Sequence, residues 1–395
     1  MIWFIIFGIS FLILLYFYIG QRLIKPAHLT RRGKWIAWSV IGFIYLTQPL
    51  TFFLKQISND AIITTVFSWI SYGGLGFISL IAFGIAFRDI CLSIVKIVNR
   101  IRNAIHKKRH LSVKPYDPGR RLFILNATNM GIIGAAALAS GYGIYEARRK
   151  PILEKVTVSF PGIRSESDHF KIAQFTDIHA GFTIKRGFIQ SAVEQVNNLG
   201  ADAIVFTGDM VDGTVENLRD DVEPLKDLYA PKGVYFITGN HEYYSGAEAW
   251  IEKMDRLGFI VLINEHKIIH HNNTRIMIAG VTDYQAGRFI PSQKSDPKKA
   301  MGDGADADVK ILLAHQPKSI FSAAEVGFDL QISGHTHGGQ YIPWSFLVTL
   351  DQPYIKGFHQ YQNTQIYVSR GTGYWGPPIR VGIPSEITLF TLTKA

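Results

Sequence analysis

The sequence predicts an α/β fold, a two-sheet sandwich flanked by helices, preceded by an all-α membrane domain of about four transmembrane helices. Three observations carry this. Residues 1–150 contain four long apolar runs without charge, residues from about 154 onward alternate short β-rich runs with helical stretches, and the charge divides at the same place. The 395 residues have a formal charge of +10. Residues 1–150 hold 19 Lys and Arg against four acids, a balance of +15, while the remainder holds 22 against 27, a balance of −5. With 47% apolar and 18% charged residues, the chain is neither disordered nor uniformly like a soluble enzyme. Its one cysteine, Cys91, excludes a disulfide framework and a thiolate zinc site.

The apolar runs cover 1–21, 35–54, 61–87 and 122–145, and a helix needs ~20 residues to cross the hydrocarbon core. The fourth is the most dilute, with Asn126, Asn129, Gly131 and Gly134. Short cytoplasmic connections collect Lys and Arg. The first connection has Arg22, Lys25, Arg31, Arg32 and Lys34 and no acid; the third, about 88–121, has ten basic residues against Asp89 and Asp117; the second has only Lys55 and Asp60. Odd connections inside then place both termini, and a domain at 151–395, on the extracytoplasmic face of the cell (inner) membrane. The basic excess is explained by topology, which removes the main support for a nucleic-acid partner. Arg120-Arg121 before a mildly apolar stretch resembles a twin-arginine export signal, with Gly119 where Ser or Thr is usual, and it reads equally as a positive-inside flank. The segment 122–145 is thus either a retained span or a signal cleaved near Ala137-Leu138-Ala139, and the export machinery is a candidate partner.

In the second half, strands are expected at 156–160, 172–176, 203–207, 233–238, 275–281, 309–314, 329–333, 365–369 and 387–392, with helices near 185–199, 214–228 and 246–257. Alternation of this kind packs helices on the faces of a sheet. Five successive strands each deliver a His, Asp or Asn at the first loop position: Asp177 and His179; Asp209 with Asp212; Asn240, His241 and Glu242; His315; and His335 with His337. A lone Asp or Gly-Asp after a strand is usually a turn or a helix cap. Five in succession put the groups on one sheet edge, where open α/β sheets bind ligands. Asp and Asn oxygens mixed with imidazoles suit borderline divalent metals such as Mn, Fe, Zn or Co.

The set DIH, GDMVD, GNHE, AHQP and GHTH resembles the calcineurin-like metallophosphoesterase superfamily over about residues 154–395. The stretches SGHTHGGQ and SRGTGYWGPPIRVGIPSEITLFTL look like its membrane-associated branch, typified by YkuE and YaeI and by transmembrane metallophosphoesterases. The resemblance implies a metallophosphoesterase sandwich with two divalent metal ions. One is held by Asp177, His179 and His337, the other by Asn240, His315 and His335, and Asp209 bridges them. It leaves His241 as the unligated acid at the reacting phosphoryl group. Asp212 and Glu242 are expected behind the ligands, Glu242 orienting His241; local capping is the competing reading for both.

The expected function is a membrane-anchored dinuclear-metal phosphohydrolase that cleaves phosphoester or pyrophosphate bonds outside the cytoplasm, on phosphorylated or lipid-linked diphosphate substrates. The alternative is a non-catalytic membrane scaffold or receptor with a structural metal site. A transporter ranks last, because the four runs carry no Asp, Glu, Lys or Arg. Trp344, Phe346, Leu347, Tyr354, Phe358, Tyr374 and Trp375 crowd Gly/Pro-rich stretches and are expected either to dock the domain on the bilayer or to pack its rim.

Overall fold

The computed structural model describes residues 2–57, 62–108, 117–163 and 169–395, which leaves Asp60 of the second connection and 109–116 of the third outside the described residues. The chain divides into two compact units, Met1–Tyr142 and Gly143–Ala395.

The first unit is helical: α1 (Ile2–Leu23), α2 (Arg31–Ile57), α3 (Ile62–Lys108) and most of α4 (Pro118–Arg148). Among the described residues, two helices are long and apolar enough to cross a membrane, Ile62–Ile105 and Pro118–Arg148. Two candidate spans thus stand where four were expected. The apolar stretch Gly8–Leu23 is shorter, and α2 begins on Arg31, Arg32 and Lys34 and carries Thr47, Gln48, Pro49 and Thr51 in its second half. The segment expected to be the most dilute, 122–145, is in one of the two that qualify. The third connection also differs from a plain loop, because α3 continues through its basic residues to Lys108. Tyr16, Ile19, Ile78, Ile81, Ile85 and Ala136 form a small shared core. Large apolar side chains such as Ile62, Val66, Phe87 and Leu138 face outward.

The second unit is built from two six-stranded mixed sheets with helices on their outer faces. The first sheet contains β1 (Ile152–Phe160), β2 (Phe170–Phe175), β3 (Ala203–Phe206), β4 (Val234–Phe236), β5 (Ile260–Val261) and the last strand, β12 (Glu386–Lys394), in the order β1-β12-β2-β3-β4-β5. The second contains β6 (Glu265–His271), β7 (Thr274–Gly280), β8 (Val309–Leu313), β9 (Leu330–Ser333), β10 (Gly357–Tyr361) and β11 (Thr364–Val368), in the order β10-β11-β9-β8-β7-β6. The helices are α5 (Arg186–Asn197), α6 (Val215–Val222), α7 (Asn240–Ser245), α8 (Ala247–Arg256), α9 (Pro297–Met301), α10 (Ile320–Val326) and α11 (Trp344–Val348).

Strand alternation divides the core. Ala203 and Val205 of β3 face the layer between the sheets, with Ile172, Ile278, Ile311, Leu313 and Ile332, while Ile204 and Phe206 face the layer under α5, α6 and α8, with Ile189, Val193, Leu218 and Trp250. A strand buried on both faces reads as a continuous apolar run, which is how β3, AIVF, appears in the sequence. β2, β3 and β4 run parallel, as do β7, β8, β9 and β11. The carboxyl ends of β2, β3, β4, β8 and β9 therefore lead to neighbouring loops.

Candidate metal centre

The five loops interlock through their backbones before any side chain is considered. The Asp177 N–H donates to the Gly208 carbonyl at 3.0 Å, His179 to Asp209 at 3.1 Å and Ala180 to Met210 at 2.7 Å, so the pairing of β2 with β3 continues into the loops. Across the two sheets, the His335 N–H donates to the Asp177 carboxylate at 2.9 Å. The His241 N–H donates to Asp209 Oδ1 at 2.8 Å.

Asp177, His179, Asp209, His335 and His337 all adopt φ between 50° and 72°. Left-handed backbone is uncommon for residues other than glycine, costs on the order of 1–3 kcal/mol each, and collects at functional sites. The glycines beside them leave no room for a side chain. A Cβ on Gly334 would fall 2.1 Å from Asp177 Oδ2, and one on Gly239 would fall 2.2 Å from Asp209 Oδ1.

Three groups of side chains come within metal-ligating distance of one another: Asp177, His179 and His337; Asp209, His315 and His335; and His179, Asp212 and His241. The first two contain six of the seven expected ligands, with Asp209 grouped with His315 and His335. Asp209 Oδ2 lies between the groups, 3.1 Å from His315 Nε2, 3.8 Å from His179 Nε2 and 4.0 Å from His241 Nε2. Asn240, the seventh, heads α7, and its Oδ1 is buried without a hydrogen-bond partner.

The donor set fits a pair of cations. His179 Nε2 faces His337 Nε2 at 3.0 Å, and His335 Nδ1 faces His315 Nε2 at 3.1 Å. His179 Nδ1 bonds Asp212 at 3.0 Å and His315 Nδ1 bonds the Thr207 carbonyl at 2.7 Å. Those acceptors take the Nδ1 protons, so each Nε2 offers a lone pair once a cation displaces any proton it holds, as a metal ligand requires. Converging lone pairs and carboxylates, together with the orphaned Asn240 oxygen, satisfy one another once a cation lies between them.

The electrostatics show the same strain. Burial opposes ionisation of Asp209, yet the charges of His315, His241 and His179 hold it well below the usual carboxylate range. Burial, reinforced by the Asp209 charge, pushes Asp177 up. Burial works against a charged His315, but Asp209 raises it to about 10; burial and the neighbouring His315 charge take His335 down to about 3.

His241 takes no part in the first two groups. Its Nδ1 lies 2.5 Å from Asp212 Oδ1, and its ring meets Tyr244 and Trp375 edge-on at 5.1 and 5.7 Å between centroids. Asp212 therefore holds two rings at once, His179 and His241. Glu242 does something other than orient His241. It is fully buried and accepts from the N–H of Asp209 at 2.9 Å, Met210 at 2.8 Å and Gly239 at 2.7 Å. It caps α7 and ties that loop to the Asp209 loop.

Two contributors were not singled out from the sequence. Arg380 is fully buried, and its guanidinium donates to the carbonyls of Arg370 at 2.7 Å, Gly373 at 2.6 Å and His337 at 3.3 Å, which fixes the loop behind His337. Thr176 Oγ1 donates to Asp177 Oδ2 at 2.8 Å. Nearby, Asp283 is buried and accepts from Gln316 Nε2 at 2.8 Å and from the Gln285 N–H at 2.8 Å. Of the C-terminal apolar residues, Tyr374 belongs to the core, whereas Phe346, Leu347, Phe358 and Trp375 are exposed.

Known proteins are similar to this chain. The family description calcineurin-like phosphoesterase matches residues 170–339. An uncharacterized metallophosphoesterase of Helicobacter pylori is 37% identical over 69% of this chain and 72% of its own length. A zebrafish (Danio rerio) transmembrane protein with metallophosphoesterase domain is 35% identical over 68% of this chain and 63% of its own. The Bacillus subtilis metallophosphoesterase YkuE is 31% identical over 69% of this chain and 97% of its own. Similarity of this extent, over a chain that gathers His and Asp side chains at strand ends of both sheets, identifies the protein as a member of the calcineurin-like metallophosphoesterase family, a metal-dependent phosphoesterase hydrolase.

Proposed function

We propose that the protein is a membrane-anchored phosphohydrolase with a dinuclear metal centre, cleaving phosphoester or pyrophosphate bonds of lipid-linked substrates outside the cytoplasm. The observation that carries this reading is Asp209 Oδ2, within 4.0 Å of ring nitrogens on three histidines from three different loops. Asp177, His179 and His337 would hold one divalent ion, Asn240, His315 and His335 the other, and Asp209 both. Such a pair, of the Mn, Fe, Zn or Co kind, supplies charge stabilisation of the phosphoryl oxygens and lowers the pKa of water at neutral pH.

The remaining work falls to the chain. Asp212 holds His241 through Nδ1 and so directs Nε2 toward the Asp209 side of the cluster. From there His241 donates a hydrogen bond, then a proton, to the oxygen of the leaving group. Trp375 and Tyr244 stand against the His241 ring and limit its exchange with water. Glu242 keeps the Asp209 and Asn240 loops at a fixed separation.

Membrane anchoring is supported by α3 and α4, by the outward-facing apolar side chains of the first unit, and by relatives named as transmembrane proteins. The side of the domain follows from the basic connection between α3 and α4. With that connection in the cytoplasm, the chain after α4 is outside, whichever number of helices precedes it. The lipid reading is supported by Ile342, Phe346, Leu347 and Leu350, exposed by 47%, 59%, 52% and 83% around α11. Exposed apolar side chains grouped on one short helix and its flanks fit an interface with lipid. The test is hydrolysis by the metal-loaded full chain, in detergent, of soluble phosphomonoesters and diesters and of lipid diphosphates. Preference for the lipid diphosphates is expected. Cleavage of none of them, with metal demonstrably bound, would overturn the proposal.

A further inference from the structure

The first unit contains a second site that the hydrolytic chemistry does not use. A cavity of about 1010 Å³ is bounded by the end of α1, the turn after it, the middle of α3 and the start of α4. Six cations line it, Arg22, Lys25, Arg88, Arg102, Arg120 and Arg121, against two carboxylates, Asp89 and Asp117.

Both carboxylates are already committed. Asp89 pairs with Arg22 at 2.8 Å and Arg88 at 2.7 Å and accepts from the Tyr18 hydroxyl at 2.7 Å. Asp117 Oδ1 caps α4, accepting from the N–H groups of Gly119 at 3.0 Å and Arg120 at 3.1 Å. Arg88 is 7% exposed and also donates to Asn129. Lys25, Arg102 and Arg120 make no ion pair among the described residues. Three like charges around one cavity repel unless an anion enters. The wall also carries Leu92, Ile124 and Leu125, and Ile90, Ile94 and Phe123 are exposed on the same helices. A ligand that satisfies this surroundings is anionic at one end and apolar at the other. A cation scatter that merely marks the cytoplasmic side of a helix needs neither the cavity nor the Arg88-Asp89-Asn129 cluster behind it, in which Arg88 and Asn129 are buried.

We propose that this cavity binds the phosphate-bearing headgroup of an anionic phospholipid. The inference rests on the reading of the first unit as membrane-embedded. Basic pockets at the cytoplasmic ends of membrane helices hold such headgroups by the same chemistry. Arg120-Arg121, whose pairing resembles an export signal, acquires a role in the retained protein.

The experiment uses the full chain in a neutral detergent, with bound lipid counted by native mass spectrometry. The probe is short-chain phosphatidylglycerol; short-chain phosphatidylcholine and inorganic phosphate are the comparators. Phosphatidylglycerol is retained and phosphatidylcholine is not. Lys25→Gln, Arg102→Gln and Arg120→Gln together weaken retention on the order of 100-fold, while hydrolysis of a soluble ester is unchanged and certifies the fold. Equal retention of the two lipids, unaltered retention by the triple variant, or displacement by phosphate at matching concentration each overturns the proposal, the last assigning the site to free phosphate. Should the triple variant not fold, salt decides with the unaltered protein: retention falls as ionic strength rises, and indifference to salt refutes the site. Alkaline extraction of native membranes tests the membrane reading separately, because headgroup selectivity in micelles does not depend on it.

Discussion

Replacing Glu242 with Gln tests whether the metal centre depends on a latch that touches no metal. Both carboxylate oxygens are in use, Oε2 accepting from Asp209 and Gly239 at 2.9 and 2.7 Å, Oε1 from Met210 at 2.8 Å. A carboxamide has one acceptor oxygen. If that oxygen keeps the Oε2 pair, the amide nitrogen faces the Met210 N–H, donor against donor. A buried donor left unsatisfied costs about 1–3 kcal/mol, and loss of the charge weakens the two surviving bonds. Burial and the Asp209 charge already push Glu242 up to about 7, so neutralising it recovers part of that loss. The net destabilisation of Glu242→Gln is about 1–3 kcal/mol. Glu242→Ala orphans all three donors and costs a large part of an ordinary domain's stability, about 5–15 kcal/mol. The loops it joins carry Asp209 and Asn240, so metal affinity falls as well, by about 10–100-fold. The assay is thermal unfolding of the full chain in detergent, with metal and with chelator. The stabilisation gained from metal should shrink by about 1.4–2.7 kcal/mol at fixed metal concentration. A Glu242→Gln protein that melts with the wild type in both conditions refutes the latch. One that loses stability equally in both reduces Glu242 to a helix cap.

Asp209→Asn should lower metal stoichiometry at both positions, as read by elemental analysis of the purified chain; loss of a single ion, or of none, would remove the bridging role. His241→Ala should keep its metal content and lose turnover by about 10²–10⁴-fold, and activity within a few-fold of wild type would exclude it as the acid. Replacing Trp344 and Phe346 together with Ser should depress hydrolysis of liposomal substrate while sparing a soluble ester, because Phe346 is 59% exposed; equal loss on both would assign the segment to packing. Protease added to intact spheroplasts should digest residues 151–395, and full protection would reverse the assigned side.

The candidate ligands were legible because each follows an apolar strand directly; a single sheet edge was expected, and the structure instead joins the strand ends of two sheets, β2, β3 and β4 leading to Asp177, Asp209 and Asn240, and β8 and β9 to His315 and His335. Their backbone conformations were not legible. Asp and His do not announce positive φ as glycine does, and only the interlocking of Gly208, Gly239 and Gly334 with neighbouring loops reveals it. Glu242 read as a cap or an orienting group, and its bonds to Asp209 and Met210 arise from a tertiary approach that no local pattern encodes. Arg380 escaped for the same reason: an Arg in a Pro/Gly-rich stretch looks solvated until the loops close over it. In the first unit, basic residues at 88–108 resembled a loop, yet charged residues with good helix propensity let α3 continue to Lys108. The short edge strand β10, GFHQY, lacks an apolar run of its own.

β12 lies between β1 and β2, parallel to β1 from Ile152 opposite Glu386 to Phe160 opposite Lys394, and antiparallel to β2. The strand that emerges first from the ribosome in this unit therefore waits for one made more than two hundred residues later. Pairing at such separation is slow. β2, β3 and β4 can assemble with local helices while β1 is still unattached. A nascent chain that stops short of residue 386 presents a bare edge on either side of the gap, a surface that proteases and chaperones recognise. Formation of β12 thus seals the sheet, and a chain made only as far as residue 385 leaves β1 and β2 each with an unpaired edge.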